Sequence, residues 1–222
     1  APSTISGLLA TASKGMGMIG IIKILLVITQ PEALEGSAIW LYTIALLSVI
    51  TMFWGNLAAL GSDNPKRMLA YSSVAHAGYM LAAITAAGLW NISGDVSAQD
   101  EAILASRTVL AAILFHLGVL VAFKLGAFLV LSILEMEKDV TSSDSLAGLS
   151  KRSPMLAVAM FIFMLSLAGV PPLSGFLSKL LVLLGIIKVA IANSADASFL
   201  GMNLHWVWGL ALAMGSFRRQ RH

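Results

Sequence analysis

The 222 residues are 58% hydrophobic and only 11% charged, with a mean hydropathy of +0.89. A soluble domain carries about 25% charged residues, so this composition excludes a water-dispersed globule, and its apolar content excludes disorder. The lack of cysteine excludes disulfides, thiolate metal centres and cysteine catalysis, and the basic residues behind the net charge of +3 form no stripe for nucleic acid.

A helix needs about 20 apolar residues to cross hydrocarbon. That window predicts runs at 3–29, 37–61, 67–90, 107–134, 154–192 and 199–217. The expected fold is all-α, a polytopic transmembrane helix bundle of about six spans, with residues 1–222 forming a single transmembrane domain.

The first run carries Lys14 near its middle, roughly 16 Å of helix from the nearest end. Its four methylenes are too few to snorkel that far, and the run is too long for the core of a signal peptide. Gly15-Met16-Gly17-Met18-Ile19-Gly20 matches the dinucleotide fingerprint by letter, but the fingerprint requires a preceding strand. Glycines here are expected to let helices approach closely. Gln30-Pro31-Glu32 ends this run, and Asp63-Asn64-Pro65 ends the second.

The third run holds His76 and is closed by Asn91-Ile92-Ser93-Gly94-Asp95. The fourth holds His116 and Lys124, which lie about 80° apart around a helix and can share a wet face. A polar stretch from Glu135 to Ser153 follows. The fifth run is two mostly apolar halves of about 15 residues, each short of the roughly 20 a crossing needs. They are interrupted by Gly169-Val170-Pro171-Pro172-Leu173-Ser174-Gly175. The Pro171-Pro172 pair removes two backbone donors, so one crossing made by a broken helix is expected. Irregular backbone at that depth is tolerated where it lines a cavity or is buried in protein, so the break points to a polar interior pathway. Lys179 lies just beyond it.

Six crossings would gather Lys66, Arg67, Lys138, Lys151, Arg152, Arg218, Arg219 and Arg221 on one face, leaving Arg107, Lys188 and Lys23 nearer the other. The positive-inside tendency makes the first face cytoplasmic. Trp40, Tyr42 and Trp90 would then mark the outer interface. All eleven acidic residues fall in loops or at helix ends, whereas Lys14, His76, Lys124 and Lys179 fall inside the spans. An ammonium at the bilayer centre costs about 2.5–3.5 kcal/mol on insertion scales. Burial also favours the neutral amine, which allows proton exchange. Four such groups suggest a row of protonatable sites. For any one of them, a structural partnership with a carboxylate or carbonyl is an equally good reading.

Lys66-Arg67-Met68-Leu69-Ala70-Tyr71-Ser72-Ser73-Val74-Ala75-His76-Ala77-Gly78-Tyr79 resembles the antiporter-like membrane subunits of respiratory complex I, most closely subunit N, within the proton antiporter/Mrp superfamily. So do Ser166-Leu167-Ala168-Gly169-Val170-Pro171-Pro172-Leu173-Ser174-Gly175-Phe176-Leu177-Ser178-Lys179, Leu9-Ala10-Thr11-Ala12-Ser13-Lys14 and Leu125-Gly126-Ala127-Phe128. The resemblance implies about fourteen helices in two inverted repeats of about five, each with a broken helix. This chain resembles the eighth to thirteenth of them, most of the second repeat. It implies a bridging role for Lys14, a relay role for His76 and a terminal role for Lys179. Lys124 stands where subunit N often has a neutral residue and where the sister subunits and Mrp antiporters commonly have lysine. The first repeat has no counterpart, and the tail beyond Trp208 fits poorly, so a part of a longer subunit is expected.

The leading expectation is a proton-translocating membrane subunit of a complex I-like quinone oxidoreductase, a translocase passing protons along Lys14, His76, Lys124 and Lys179. No cofactor or metal would be bound by this chain, and quinone and redox centres would sit in partner subunits. Its partners would be other membrane subunits and the lipid bilayer of a bacterial or archaeal plasma membrane or an organelle inner membrane, with no nucleic acid. The alternatives are an Mrp-type sodium/proton antiporter subunit and a structural subunit whose lysines are locked in ion pairs.

Overall fold

A computed structural model describes residues 3–28, 37–92, 99–137, 142–192, 198–199 and 202–203. The first rod comprises α1 (Ser3–Leu8), a π-helical stretch (Leu9–Ser13) and α2 (Lys14–Ile28). Two long helices follow the α3 helix (Ser37–Leu60), namely α4 (Pro65–Ile92) and α5 (Gln99–Glu137). A 3-10 turn (Ser143–Leu146) and the short α6 (Leu149–Arg152) lead to α7 (Pro154–Ala168) and α8 (Ser174–Ala192). A two-residue antiparallel ladder, β1 (Ser198–Phe199) on β2 (Met202–Asn203), pairs Ser198 with Asn203 and Phe199 with Met202.

Local chemistry sets these boundaries. Pro65 occupies the first position of α4, where no backbone donor is needed. The Asn64 carboxamide oxygen accepts from the amides of Lys66 at 3.0 Å and Arg67 at 3.4 Å, capping the helix. Pro154 opens α7 in the same way. Gly169, at φ 85°, closes it, donating its amide to the carbonyls of Leu165 and Ser166. Only a residue without Cβ takes that left-handed conformation at little cost.

The α5 helix is the axis of the bundle, packed against α1, α4, α7 and α8. The α3–α4 pair is held close by glycines: a Cβ on Gly78 would come within 2.6 Å of Met52, and one on Gly55 within 2.5 Å of the Ala75 amide. This corrects the expectation for the first rod. Added Cβ atoms on Gly17 and Gly20 meet nothing within 4 Å among the described residues, and one on Gly15 meets only Leu117 at 3.8 Å. The dinucleotide fingerprint lies within α2, with no strand before it.

Polarity is distributed inside out. Ser48, Ser72, Ser73, His76, Thr85, His116, Lys124, Ser166 and Ser178 are buried, while Leu46, Ile50, Trp54, Leu114, Phe161 and Leu177 are exposed. In water that arrangement would strand polar groups and expose apolar ones. In hydrocarbon it is the favoured one.

Three described helical segments are long and apolar enough to cross a membrane, Ser3–Ile24, Thr43–Leu60 and Arg107–Met136, and α7 is a shorter apolar helix. The α4 helix has 28 residues, but Ser72, Ser73 and His76 dilute its apolar character. The α5 helix outruns the expected 107–134 at both ends. The α4 helix likewise continues through Asn91 and Ile92, two residues read as its terminator. The expected sixth span does not begin as a helix at 199, since Phe199 belongs to the ladder. The remainder of that span lies outside the described residues, as do the side chains of Trp40, Tyr42 and Trp90. The fifth run is broken as expected, between α7 and α8.

Candidate functional site

The α4, α5 and α8 helices each contribute polar side chains to one buried seam. The Lys124 side chain on α5 is 1% exposed, and its Nζ donates to Ser73 Oγ on α4 at 3.0 Å. One turn along α4 lies His76, also 1% exposed. The His76 ring stands 5.4 Å, centroid to centroid, from that of His116 on α5. His116 Nδ1 in turn lies 2.9 Å from Ser178 Oγ on α8, and Ser178 adjoins Lys179. The charges of Lys124 and Lys179 both reach His116. Three of the four expected residues therefore share one seam, which His116 joins together.

The helix break holds Lys179. Its Nζ donates to the carbonyls of Leu167 at 3.0 Å and Ala168 at 2.9 Å, the last carbonyls of α7. The carbonyl end of a helix carries the negative end of its dipole, which favours a cation. The bracing is reciprocal: Ser166 Oγ on α7 accepts from the Gly175 amide in the first turn of α8 at 3.2 Å. A Cβ on Gly175 would overlap the Ser166 carbonyl oxygen, so only glycine permits this approach. Each half-helix thus caps the other.

Lys14 is half-buried and directly follows the π-helical stretch. The rod runs antiparallel to α5, since Thr4 Oγ1 lies 3.0 Å from Ser132 Oγ, Gly7 faces Phe128 and Gly15 faces Leu117. Lys14 therefore sits at the depth of the seam, between the levels of His116 and Lys124. It makes no polar contact to the other three among the described residues.

At one end of the bundle Glu135 on α5 accepts from Lys66 Nζ on α4 and from the Ser3 hydroxyl and amide on α1. The start of the rod, the start of α4 and the end of α5 therefore share one face, as the lysine and arginine bias requires. Leu69, Phe128 and Leu131, each 1% exposed or less, lie along α4 and α5 between this cluster and Lys124.

Site residues that sequence reasoning left out are Ser73, Ser178 and the linking role of His116. For His116 the signal was its helical spacing from Lys124. The two serines carry no signal that sets them apart from other hydroxyls in membrane helices.

Comparison with known proteins gives the arrangement a context. The family model described as "NADH:quinone oxidoreductase/Mrp antiporter, TM" matches residues 1–97 and 101–203. The chain belongs to this family. It is an integral membrane protein. Among its relatives, NADH-quinone oxidoreductase subunit N of Heliobacterium modesticaldum is 36% identical, covering 90% of this chain and 38% of that one. Subunit N 2 of Roseiflexus castenholzii is 41% identical over 81% of this chain and 33% of its own length. Subunit N 1 of Koribacter versatilis is 33% identical over 99% and 40%. The chain thus spans 33–40% of the length of these relatives. Among solved structures, a chain of respiratory complex I from Thermus thermophilus with bound aureothin is 31% identical, with a TM-score of 0.49, over 79% of this chain and 34% of that one.

Proposed function

We propose that this chain is the proton-carrying part of a membrane subunit of a complex I-like NADH-quinone oxidoreductase, working as a translocase without a redox centre of its own. The observation that carries the proposal is the buried seam that gathers Lys124, His76, His116 and Lys179, braced by Ser73 and Ser178. Amines and imidazoles can each gain and lose a proton near neutrality once their environment is tuned. Lys14, at the same depth, would supply protons from the rod formed by α1 and α2, and redox chemistry in partner subunits would shift the balance along the row. The family name admits sodium/proton antiport as well, and Lys124 fits the Mrp branch. The buried charges of the seam are cationic, which repels sodium and favours proton transfer.

Lys179→Ala, placed in the complete subunit within its assembly, tests this. Quinone reduction is expected to continue while protons moved per electron fall. Unchanged stoichiometry would refute the relay, and transport that requires sodium would favour the antiporter reading instead.

A further inference from the structure

The Ser178 hydroxyl carries one hydrogen and faces two groups. Its oxygen lies 3.0 Å from the Gly175 carbonyl oxygen and 2.9 Å from His116 Nδ1. A carbonyl only accepts, so the contact with Gly175 uses the hydroxyl hydrogen. The bond to His116 is then made by a hydrogen on Nδ1, with the serine oxygen accepting. Both residues are buried, at 0% and 2% exposure.

This bonding leaves the lone pair of the ring on Nε2, which has no hydrogen-bond partner among the described residues. The opposite tautomer would place an N–H there. Orphaned buried N–H groups are rarer than under-satisfied acceptors and carry the full desolvation penalty. The charged neighbours of His116 point the same way, because Lys124 and Lys179 both bear donors. A lone pair complements them, whereas an N–H would oppose them.

We propose that Ser178 is a positioning residue that holds His116 as the Nδ1–H tautomer and makes Nε2 its sole port for proton exchange. The assignment rests on the relay reading for its purpose, though not for its geometry. A proton taken up at Nε2 originates on a lysine ammonium and reaches the ring through intervening water: the ammonium N–H bond breaks and the Nε2–H bond forms, giving a neutral amine and an imidazolium. Release is the reverse step, from Nε2 to an amine already neutral. The Nδ1 proton stays in place, because the serine hydrogen is committed to a carbonyl that cannot pass it on.

The test is nitrogen-15 magnetic resonance on the complete subunit in its assembly, with labelled histidine and His116→Gln to identify the signal among the four histidines of the chain. The unsubstituted protein is expected to show neutral His116 protonated at Nδ1 and bare at Nε2. Ser178→Ala should populate the other tautomer, and Ser178→Thr, which keeps the hydroxyl, should retain the original one. A proton on Nε2 and none on Nδ1 in the unsubstituted protein would overturn the proposal, as would an unaltered tautomer in Ser178→Ala. Proton stoichiometry on the same samples separates the two readings. It should fall in Ser178→Ala and recover in Ser178→Thr. The expected spectra with unchanged stoichiometry would support the tautomer and overturn its place in a relay.

Discussion

An ammonium in hydrocarbon costs about 2.5–3.5 kcal/mol on insertion scales, and the lysines here meet that cost in different ways. Lys179 lies against the carbonyl end of a half-helix. Lys124, 1% exposed, donates to the Ser73 hydroxyl of the neighbouring helix. A buried ionic group is weak evidence for stability and is often replaced by an apolar one at no loss. Lys124→Met, of similar length and without charge, is therefore expected to leave the melting temperature no lower than the original while lowering protons moved per electron; a melting curve beside a pumping assay reads both. Lys124, His76 and Lys179 were legible in the sequence because charge or imidazole within an apolar run is an anomaly that needs no partner to be noticed. Ser73 and Ser178 were not, because their meaning lies in contacts 51 and 62 residues away along the chain.

At the scale of elements, the broken crossing was the most legible feature, since two adjacent prolines between apolar halves leave little choice. The reciprocal capping of α7 and α8 was not, because it depends on Ser166 and Lys179 reaching across a turn whose path the sequence does not specify. Close approach was expected at Gly15, Gly17 and Gly20 and is found instead at Gly7, Gly55 and Gly78. A glycine marks where backbones are able to meet, and the partner helix decides where they do. The ends of α1, α4 and α5 are tied by Glu135. The pair it forms with Lys66 is partly exposed, at 20% and 24% for the two side chains, so its worth is about 1 kcal/mol or less. Glu135→Gln keeps the shape and the acceptor for Ser3 and removes the charge. It should lower the melting temperature of the purified assembly by a few degrees at most, less so at high salt. A larger loss that salt does not alter would show that the carboxylate does more than tie helices.

For the whole molecule, the membrane class was legible from composition, and the all-α class from the lengths of the apolar runs. The two-residue ladder at the start of the last expected span was not, because apolar content dominates a hydropathy window and hides so short a pairing. The shared face of Ser3, Lys66 and Glu135 gives the orientation a direct check. The chain has no cysteine, so single cysteines report cleanly on sidedness. Lys151→Cys should react with a membrane-impermeant thiol reagent from the cytoplasmic side only; labelling from the opposite side would reverse the orientation. The account depends most on His116 as the link between the lysine on α5 and the lysine on α8. His116→Phe keeps a ring in the seam and removes both exchangeable nitrogens, leaving Lys124 and Lys179 in place. Measured as protons translocated per electron by sealed vesicles bearing the complete assembly, it should give a lowered stoichiometry with quinone reduction still running, whereas an unaltered stoichiometry would contradict a relay through this seam.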